Sequence, residues 1–265
     1  MKPYRVRACN TAHDSENKIH DDDVARRFGF SGALVPGVDV YAYMMHLPVA
    51  RWGRAFLERG SAECRFTSPV YDGEFAEVAG REEDGAIRID VTSGDRECAS
   101  GWARMPDAAP AAPDVRAFPP ARIPDQESRP PASPETLKVG ALLGTATLDA
   151  SAAFVETYLR DVSESDALYA REKLVHPGTV LRMCNFGLLR NVKLGPWIHV
   201  GSRVQNHAAA RVGETLAARP RVTANYERKG HLFVELDVLV LGGDERAIAH
   251  VTHTAIYRPR QAAAA

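Results

Sequence analysis

The 265-residue sequence lacks the features that mark several broad classes of protein. Neither sign of charge is in excess, since 33 basic residues stand against 34 acidic ones and the formal net charge is -1. This balance gives no field for holding nucleic acid or an anionic membrane. No apolar run approaches the ~20 residues of a membrane-spanning helix, and the N-terminal stretch MKPYRVRACNTAHD lacks the apolar core of a signal peptide. We therefore predict a cytoplasmic protein with no nucleic-acid or membrane partner.

Cysteine is also scarce. The four cysteines are widely scattered, with no CxxC pair and no close spacing of the kind that binds zinc or builds a disulfide framework. Free thiols in a reducing compartment are expected. The run Asp21 to Asp23 is interpreted as a solvated first turn that suits a helix dipole, and no metal site is predicted.

The chain has enough apolar residues, 45% of the total, to bury a full core. Its one unusual segment is rich in Pro and Ala and cannot pair regularly in a sheet. We assign residues 106–133 as a semi-rigid linker. The remainder then divides into an N-terminal domain, 1–105, and a C-terminal domain, 134–265.

The two domains carry the same landmarks in the same order, at offsets of 140 or 141 residues. The matching pairs are Pro36-Gly37 with Pro177-Gly178, Gly60-Ser61 with Gly201-Ser202, and Gly73-Glu74 with Gly213-Glu214. This period is far too long for a solenoid. It indicates a duplication of one domain-sized unit.

Each unit reads as a helix followed by strands. An apolar stretch of helical length follows each Pro-Gly pair, VDVYAYMMHLPVARWGRAFLERG in the first unit and TVLRMCNFGLLRNV in the second. Pro48 is expected to kink or end the first helix. Alternating apolar and polar residues, as in His231 to Leu241, predict strands separated by GD, GG and KG turns. An α+β fold follows, in which each antiparallel sheet covers its helix and the two sheets join edge to edge.

The loop before the first helix carries a motif. Ser15-Glu16-Asn17-Lys18-Ile19-His20 falls on the pattern Asp-x-Asn-Pro-(Ile/Leu/Val)-His, and Ala25, Gly29 and the Pro36-Gly37 helix start follow at matching intervals. The chain thereby resembles the MaoC-like, (R)-specific enoyl-CoA hydratase group of the hotdog superfamily, in its tandem form. This resemblance implies a double hotdog, with two helices each wrapped by a curved antiparallel sheet and the sheets joined into one.

The resemblance also implies an activity, which is the addition of water to a 2-enoyl thioester, or its elimination. The thioester would belong to coenzyme A or an acyl carrier, so no separate cofactor is expected. His20, with an unperturbed pKa of ~6.5, suits proton exchange near neutrality. The backbone N–H of Gly37 at a helix start suits the stabilisation of charge on the thioester oxygen. Asn17 would orient the water or hold the loop.

Three positions depart from the motif. Ser15 replaces the catalytic Asp, and a hydroxyl cannot take over the acid-base role of a carboxylate unaided. Its neighbours Asp14 and Glu16 are candidates to fill the gap. Lys18 replaces the Pro of the loop, and Pro36 replaces the His before the helix glycine.

The second unit keeps a helix start, His176 to Gly178, but the preceding text has no Asn-x-x-His. The site is therefore expected in the first unit, with the second shaping the acyl tunnel. Pro36, Tyr41, Arg228 and Lys229 are the predicted substrate contacts, although a charged hairpin turn explains the last two equally well. The strand histidines are interpreted as surface or satisfied residues; they are His199, His207, His231, His250 and His253.

Simpler interpretations of the site stay open. Asn17 and His20 fit a helix-capping loop, and Gly37 fits a tight turn after proline. One rival function is a thioesterase in which Glu16 or Asp14 activates water. Another is a non-catalytic hotdog protein that binds an acyl ligand or a partner subunit. A homodimer also stays open, although two fused units already supply the sheet pairing that single hotdogs obtain by dimerising.

Overall fold

The computed structural model describes residues 1–12 and 15–260. Within these residues the chain forms ten strands and six α-helices. The strands are β1 (Tyr4–Arg7), β2 (Ser61–Phe66), β3 (Phe75–Glu83), β4 (Ala86–Ser93), β5 (Arg96–Arg104), β6 (Ala146–Asp149), β7 (Ile198–Asn206), β8 (Thr215–Arg228), β9 (His231–Leu241) and β10 (Ala247–Arg258). The helices are α1 (Asp22–Arg27), α2 (Gly37–Trp52), α3 (Arg54–Arg59), α4 (Ala152–Asp161), α5 (Leu168–Glu172) and α6 (Pro177–Leu189).

All ten strands belong to one antiparallel sheet, in the order β1-β3-β4-β5-β2-β7-β10-β9-β8-β6. Counted inward from either edge, the two halves have the same order of strands. They meet where β2 pairs with β7, and Cys64 lies opposite Ser202 at this seam. The double hotdog with one continuous sheet, predicted from the sequence, is confirmed.

The long helices α2 and α6 form the centre of the core. Each packs against the strands of its own half, and the two helices also contact each other. Both are buried along most of their length because they are covered by the sheet and by the other helix. The join between the halves is therefore made by helices as well as by strands.

Of the two alternatives predicted for Pro48 in α2, a kink or the end of the helix, the second is wrong. This helix does not end at Pro48 but continues for one more turn to Trp52. The turn after Pro48 is held because Val49 is buried in the core and its carbonyl accepts the N–H of Gly53. The break comes at Gly53, whose φ of 59° lies in the left-handed region that glycine adopts without strain.

The repeated Gly-Glu landmark has a structural cause. Gly73 and Gly213 both have positive φ, 75° and 89°, in the turns that precede β3 and β8. Each turn lies next to an isolated bridge that anchors the segment before a long helix. The bridge partners are Leu34 with Tyr71 and Leu174 with Arg211.

The segment 106–133 contains two short 3₁₀ turns and packs along the second half of the sheet. Phe118 is buried there against Leu239 and Leu241. Among the described residues, no helix is both long and apolar enough to cross a bilayer. All four cysteines are free thiols, as predicted.

Candidate active site

A cavity of about 280 Å³ lies where the first-half loop and the start of α2 face strand β7 of the second half. Four predicted site residues line it, namely Asn17, His20, Pro36 and Gly37. Its walls are mostly apolar and come from both halves. They include Phe30, Val40, Phe66, Val70, Trp197 and Ile198.

Asn17 fixes the loop in two ways. Its Oδ1 caps the 3₁₀ turn Lys18–His20 by accepting the N–H of Ile19. The same amide group also binds the backbone of Trp197, with Nδ2 donating to the carbonyl at 3.0 Å and Oδ1 accepting the N–H at 3.2 Å. Asn17 is thus a cap and also a buried clamp that ties the loop to the second half.

The surroundings of His20 select its tautomer. Nδ1 lies 2.7 Å from the carbonyl oxygen of Leu34, which can only accept, so Nδ1 carries a proton. Nε2 lies 3.3 Å from Nδ2 of Asn17, which can only donate. In the neutral ring Nε2 is therefore the basic nitrogen, and Asn17 orients it.

Gly37 is the first residue of α2, and a helix start leaves its first N–H groups without intrahelical acceptors. The Gly37 N–H has no hydrogen-bond partner within residues 1–12 and 15–260. A Cβ on Gly37 would lie 3.0 Å from Nδ1 of His199 and 3.2 Å from the ring of Phe66. Glycine is needed here because two rings approach the backbone closely.

The second half contributes cavity residues that the sequence did not reveal. Asn185, Trp197 and His199 all line the cavity and are at least nine-tenths buried. Each has one buried polar atom with no partner in the described part of the chain. These atoms are Oδ1 of Asn185, Nε1 of Trp197 and Nδ1 of His199. Unpartnered buried polar atoms are rare, and together they suit a polar ligand.

Two of the strand histidines, His199 and His253, lie buried in the seam and not on the surface, and each has one ring nitrogen bonded to Ser202. Nε2 of His199 lies 2.8 Å from Oγ of Ser202, which lies 3.0 Å from Nδ1 of His253. The two rings stack with centroids 4.2 Å apart. Burial lowers the pKa of His253 to about 3, and burial together with the nearby His253 holds the pKa of His199 well below its usual range. Both rings are neutral at neutral pH.

A second, more polar cavity of about 480 Å³ adjoins the first. The two share Asn17, His20, Pro36, Asn185 and Trp197. The second cavity is also lined by polar residues that include Thr11, Ser15, Asp161 and Arg182. His20 therefore lies at the junction of an apolar compartment and a polar one.

Neither Ser15 nor Glu16 is brought to the apolar cavity. Ser15 lines only the polar cavity, and its Oγ accepts the N–H of Asn17 at 3.1 Å. The carboxylate of Glu16 is held by Gln126 and Arg129, each at 3.0 Å, and lines neither cavity. Asp14 lies outside the described residues.

Three predicted substrate contacts lie apart from His20. Tyr41 is fully buried in α2 and lines neither cavity. Arg228 and Lys229 line a separate groove of about 970 Å³ that runs over β2, β7 and β9. Of the predicted substrate contacts, only Pro36 is in the cavity with His20.

The start of α6, which corresponds to the start of α2, has no open space beside its glycine. The Gly178 N–H donates to Nδ1 of its own cap, His176, at 3.1 Å. Tyr158 occupies the space beside Gly178. Burial alone would raise the pKa of Glu164, but the nearby His176, with Nε2 3.4 Å from the carboxylate, and a hydrogen bond from His46 hold that pKa well below its usual range. These contacts leave the second helix start no free amide beside a cavity.

Neither a family model nor a curated protein sequence matches this chain. Solved structures do match along nearly its whole length. A conserved Mycobacterium tuberculosis protein, described as having a double hotdog fold, aligns with a TM-score of 0.62 and 15% identity over 97% of this chain and 96% of its own. A provisionally named MaoC domain dehydratase from Chloroflexus aurantiacus aligns with a TM-score of 0.61 and 14% identity, covering 98% and 94%.

A provisionally named thioesterase II from Thermobifida fusca also aligns, with a TM-score of 0.52 and 15% identity over 97% of this chain and 92% of its own. At these identities the similarities show the fold. The resemblance to MaoC-like double hotdog proteins is confirmed at that level. Within residues 1–12 and 15–260, no group of three or more His, Cys, Asp or Glu side chains is placed to hold a metal ion.

Proposed function

We propose that this protein adds water to a 2-enoyl thioester, or removes water from the corresponding hydroxyacyl thioester. One observation carries the proposal. His20, with its basic Nε2, and Gly37, with its unpartnered amide, both line the apolar cavity, and His20 also borders the polar one. A proton-transfer group and an oxyanion donor beside an acyl-sized apolar space are what this reaction needs.

In the hydration direction, Nε2 of His20 gives up its long 3.3 Å contact with Nδ2 of Asn17 and accepts a proton from water as the oxygen attacks C3 of the enoyl group. Electron density moves to the thioester oxygen, which the Gly37 N–H stabilises. The imidazolium then returns the proton to C2, so C3–O and C2–H bonds form and the ring ends neutral. Because one residue accepts and returns the proton, Ser15 needs no acid-base role.

The two cavities suit different parts of the substrate. The apolar walls suit the acyl chain, and the polar cavity suits the arm that carries the thioester. That arm belongs to coenzyme A or an acyl carrier, and it arrives with the substrate, so the reaction requires no separate cofactor. Asn17 contributes by holding both His20 and the backbone of Trp197 in place.

Hydrolysis of the thioester is disfavoured by the position of Glu16. A thioesterase base must reach a water beside the thioester carbon, whereas this carboxylate is bound to Gln126 and Arg129 outside both cavities. Among the described residues that line the apolar cavity there is no carboxylate, and Asp161 lines only the polar cavity. Hydration therefore fits the described residues better than hydrolysis.

The test uses crotonyl-CoA with three readouts. Loss of enoyl absorbance reports hydration, free thiol release reports hydrolysis, and thermal shift without turnover reports binding alone. We expect hydration, with His20→Ala lowering kcat by about 100-fold or more while still binding the substrate. His231→Ala, a histidine at the β8–β9 hairpin outside both cavities, is the matched control. Thiol release, or binding with no turnover, would contradict the proposal.

A further inference from the structure

We propose that His199 is a second hydrogen-bond donor to the thioester oxygen, acting beside the Gly37 amide from the opposite half of the molecule. This inference rests on the proposed function and assigns a role to a residue outside the recognised motif. It makes the site a joint product of the two halves, since Gly37 starts α2 and His199 lies on β7.

The position of His199 supports this role. Nδ1 lies 3.0 Å from the place where a Cβ on Gly37 would stand, so the ring nitrogen and the start of α2 are in contact. The residue is 6% exposed, lines the cavity, and Nδ1 has no partner among the described residues. An oxygen bound to the Gly37 N–H would lie within reach of the same nitrogen.

Donation requires a proton on Nδ1, and the hydrogen-bond chain behind the ring determines whether it is there. Ser202 can donate its hydroxyl proton to only one of its two histidine neighbours. If it donates to His253, then His253 must carry a proton on Nε2, a fully buried atom with no acceptor in the described part of the chain. A buried N–H without an acceptor is strongly unfavourable.

The opposite direction places the N–H without an acceptor on Nδ1 of His199 instead, in a residue that lines the cavity, where a bound ligand oxygen can accept it. Nδ1–H of His253 donates to Oγ of Ser202, and the Ser202 hydroxyl donates to Nε2 of His199. The remaining proton of His199 then lies on Nδ1, 3.0 Å from the place where a Cβ on Gly37 would stand. Ser202 and His253 are accordingly positioning residues, which set the tautomer without touching the substrate.

A neutral imidazole suits this task. Its N–H stabilises a developing negative charge without giving up its proton, so the ring needs no reprotonation between turnovers. Burial against Phe66 and His253 keeps the ring uncharged and fixed in orientation. A fixed dipole needs little reorganisation when the charge develops.

His199→Gln is the discriminating variant. Its amide can reach Ser202 from the position of Nε2, but it has no group at the position of Nδ1. We expect kcat for hydration to fall about 100-fold, because that is the usual loss for one oxyanion donor, with little change in Tm. Ser202→Ala should reduce kcat by about 10-fold, since the tautomer is then no longer imposed. His250→Gln is the matched control, as His250 lies on β10 outside both cavities.

A second measurement separates donation from a packing role. Acetoacetyl-CoA forms an enolate that absorbs in the ultraviolet, and a donor to its oxygen lowers the apparent pKa of enolisation on the protein. His199→Gln should raise that pKa relative to wild type and to His250→Gln.

The outcomes are distinct. Reduced kcat together with weaker enolate stabilisation supports the inference. If His20→Ala is inactive while His199→Gln matches wild type in both measurements, the inference fails and the proposed function stands. If the wild-type protein neither hydrates crotonyl-CoA nor binds acetoacetyl-CoA, the proposed function fails and the inference fails with it.

Discussion

The two helix-start glycines should respond in opposite ways to the same substitution. In Gly37→Ala, the new methyl group would meet Nδ1 of His199 at 3.0 Å and Phe66 at 3.2 Å, at the edge of an open cavity. Both contacts are relieved if the rings give by a few tenths of an ångström, without a change in their orientation. Replacing glycine in a helix also gains up to about 1 kcal/mol, and less in the first turn. The net change in unfolding free energy should stay within about 1 kcal/mol, which is about 2–4 °C in Tm.

Catalysis should suffer far more than stability. The methyl group would occupy the space beside the Gly37 amide, so the thioester oxygen could no longer approach the N–H closely. Loss of an oxyanion interaction costs about 100-fold in rate, and a displaced substrate loses alignment with His20 as well. We expect kcat/KM of Gly37→Ala to fall by about 100-fold or more.

Gly178→Ala is the matched control in the second half. Its methyl group would overlap Oη of Tyr158 and lie 2.7 Å from Cβ of Ala42, in a packed interior with no cavity to relieve it. Tyr158 cannot move freely because its hydroxyl donates to the buried carboxylate of Asp39 at 3.0 Å. Overpacking of this kind costs about 1–3 kcal/mol, or about 2–12 °C in Tm for a chain of this size.

The assay compares thermal unfolding with crotonyl-CoA hydration, measured well below both melting temperatures. Gly37→Ala should lose activity with a nearly native Tm, and Gly178→Ala should lose Tm with nearly native activity. Wild-type kcat/KM in Gly37→Ala would refute the assignment of an oxyanion site to the first helix start. An unchanged Tm in Gly178→Ala would refute the conclusion that Tyr158 fills the space beside the second helix start.

Three further predictions concern buried polar groups. Asn17→Ala removes both hydrogen bonds to Trp197 and should reduce the urea-unfolding free energy by about 1–3 kcal/mol, with loss of hydration activity. The pKa of Glu164 is lowered in the folded state, so its ionised form contributes fully to stability above the unfolded pKa of ~4.3, and this contribution is lost as the pH falls below that value. Glu164→Gln should therefore be less stable than wild type at pH 7, and the difference in unfolding free energy should shrink below about pH 4. The pKa of His253 is about 3 in the folded chain and ~6.5 in the unfolded chain, so between these pH values only the unfolded chain binds the proton. As the pH falls through this range, the urea-unfolding free energy of wild type should therefore decrease by up to about 1.4 kcal/mol per pH unit more than that of His253→Gln.

Each of these has a contrary result. Native activity in Asn17→Ala would mean that the loop holds its position without the clamp. A margin for Glu164→Gln that persists unchanged at pH 3 would show that its effect comes from packing. Equal pH slopes for wild type and His253→Gln would show that His253 titrates normally in the folded state.

Much of the fold could be predicted because the signals are local. Alternation of apolar and polar residues marked the eight longer strands, and the Pro-Gly pairs marked the starts of α2 and α6. The short strands β1 and β6 have only four residues each, too few for a periodic pattern, and they take strand geometry by pairing with β3 and β8. Helix α4 was also missed, although its Tyr158 fills the second helix start.

The histidine cluster shows what local pattern could not reveal. His199 and Ser202 are three residues apart, so strict alternation would place them on opposite faces of β7. The pairing of β7 with β10 slips at this point, because Thr254 lies opposite Gly201 while Ala255 lies opposite His199. The extra residue is Val200, and this bulge turns His199 to the same buried face as Ser202.

Short-range periodicity and turn chemistry are enough to predict two helix-and-sheet units and their helix starts, and the resemblance to the hydratase motif adds a loop with Asn17 and His20. The folded chain alone shows that Gly37 faces a histidine from the other unit and that Glu16 is held outside the cavity. Those relationships depend on a strand bulge and on the seam between β2 and β7, where residues about 140 positions apart become neighbours.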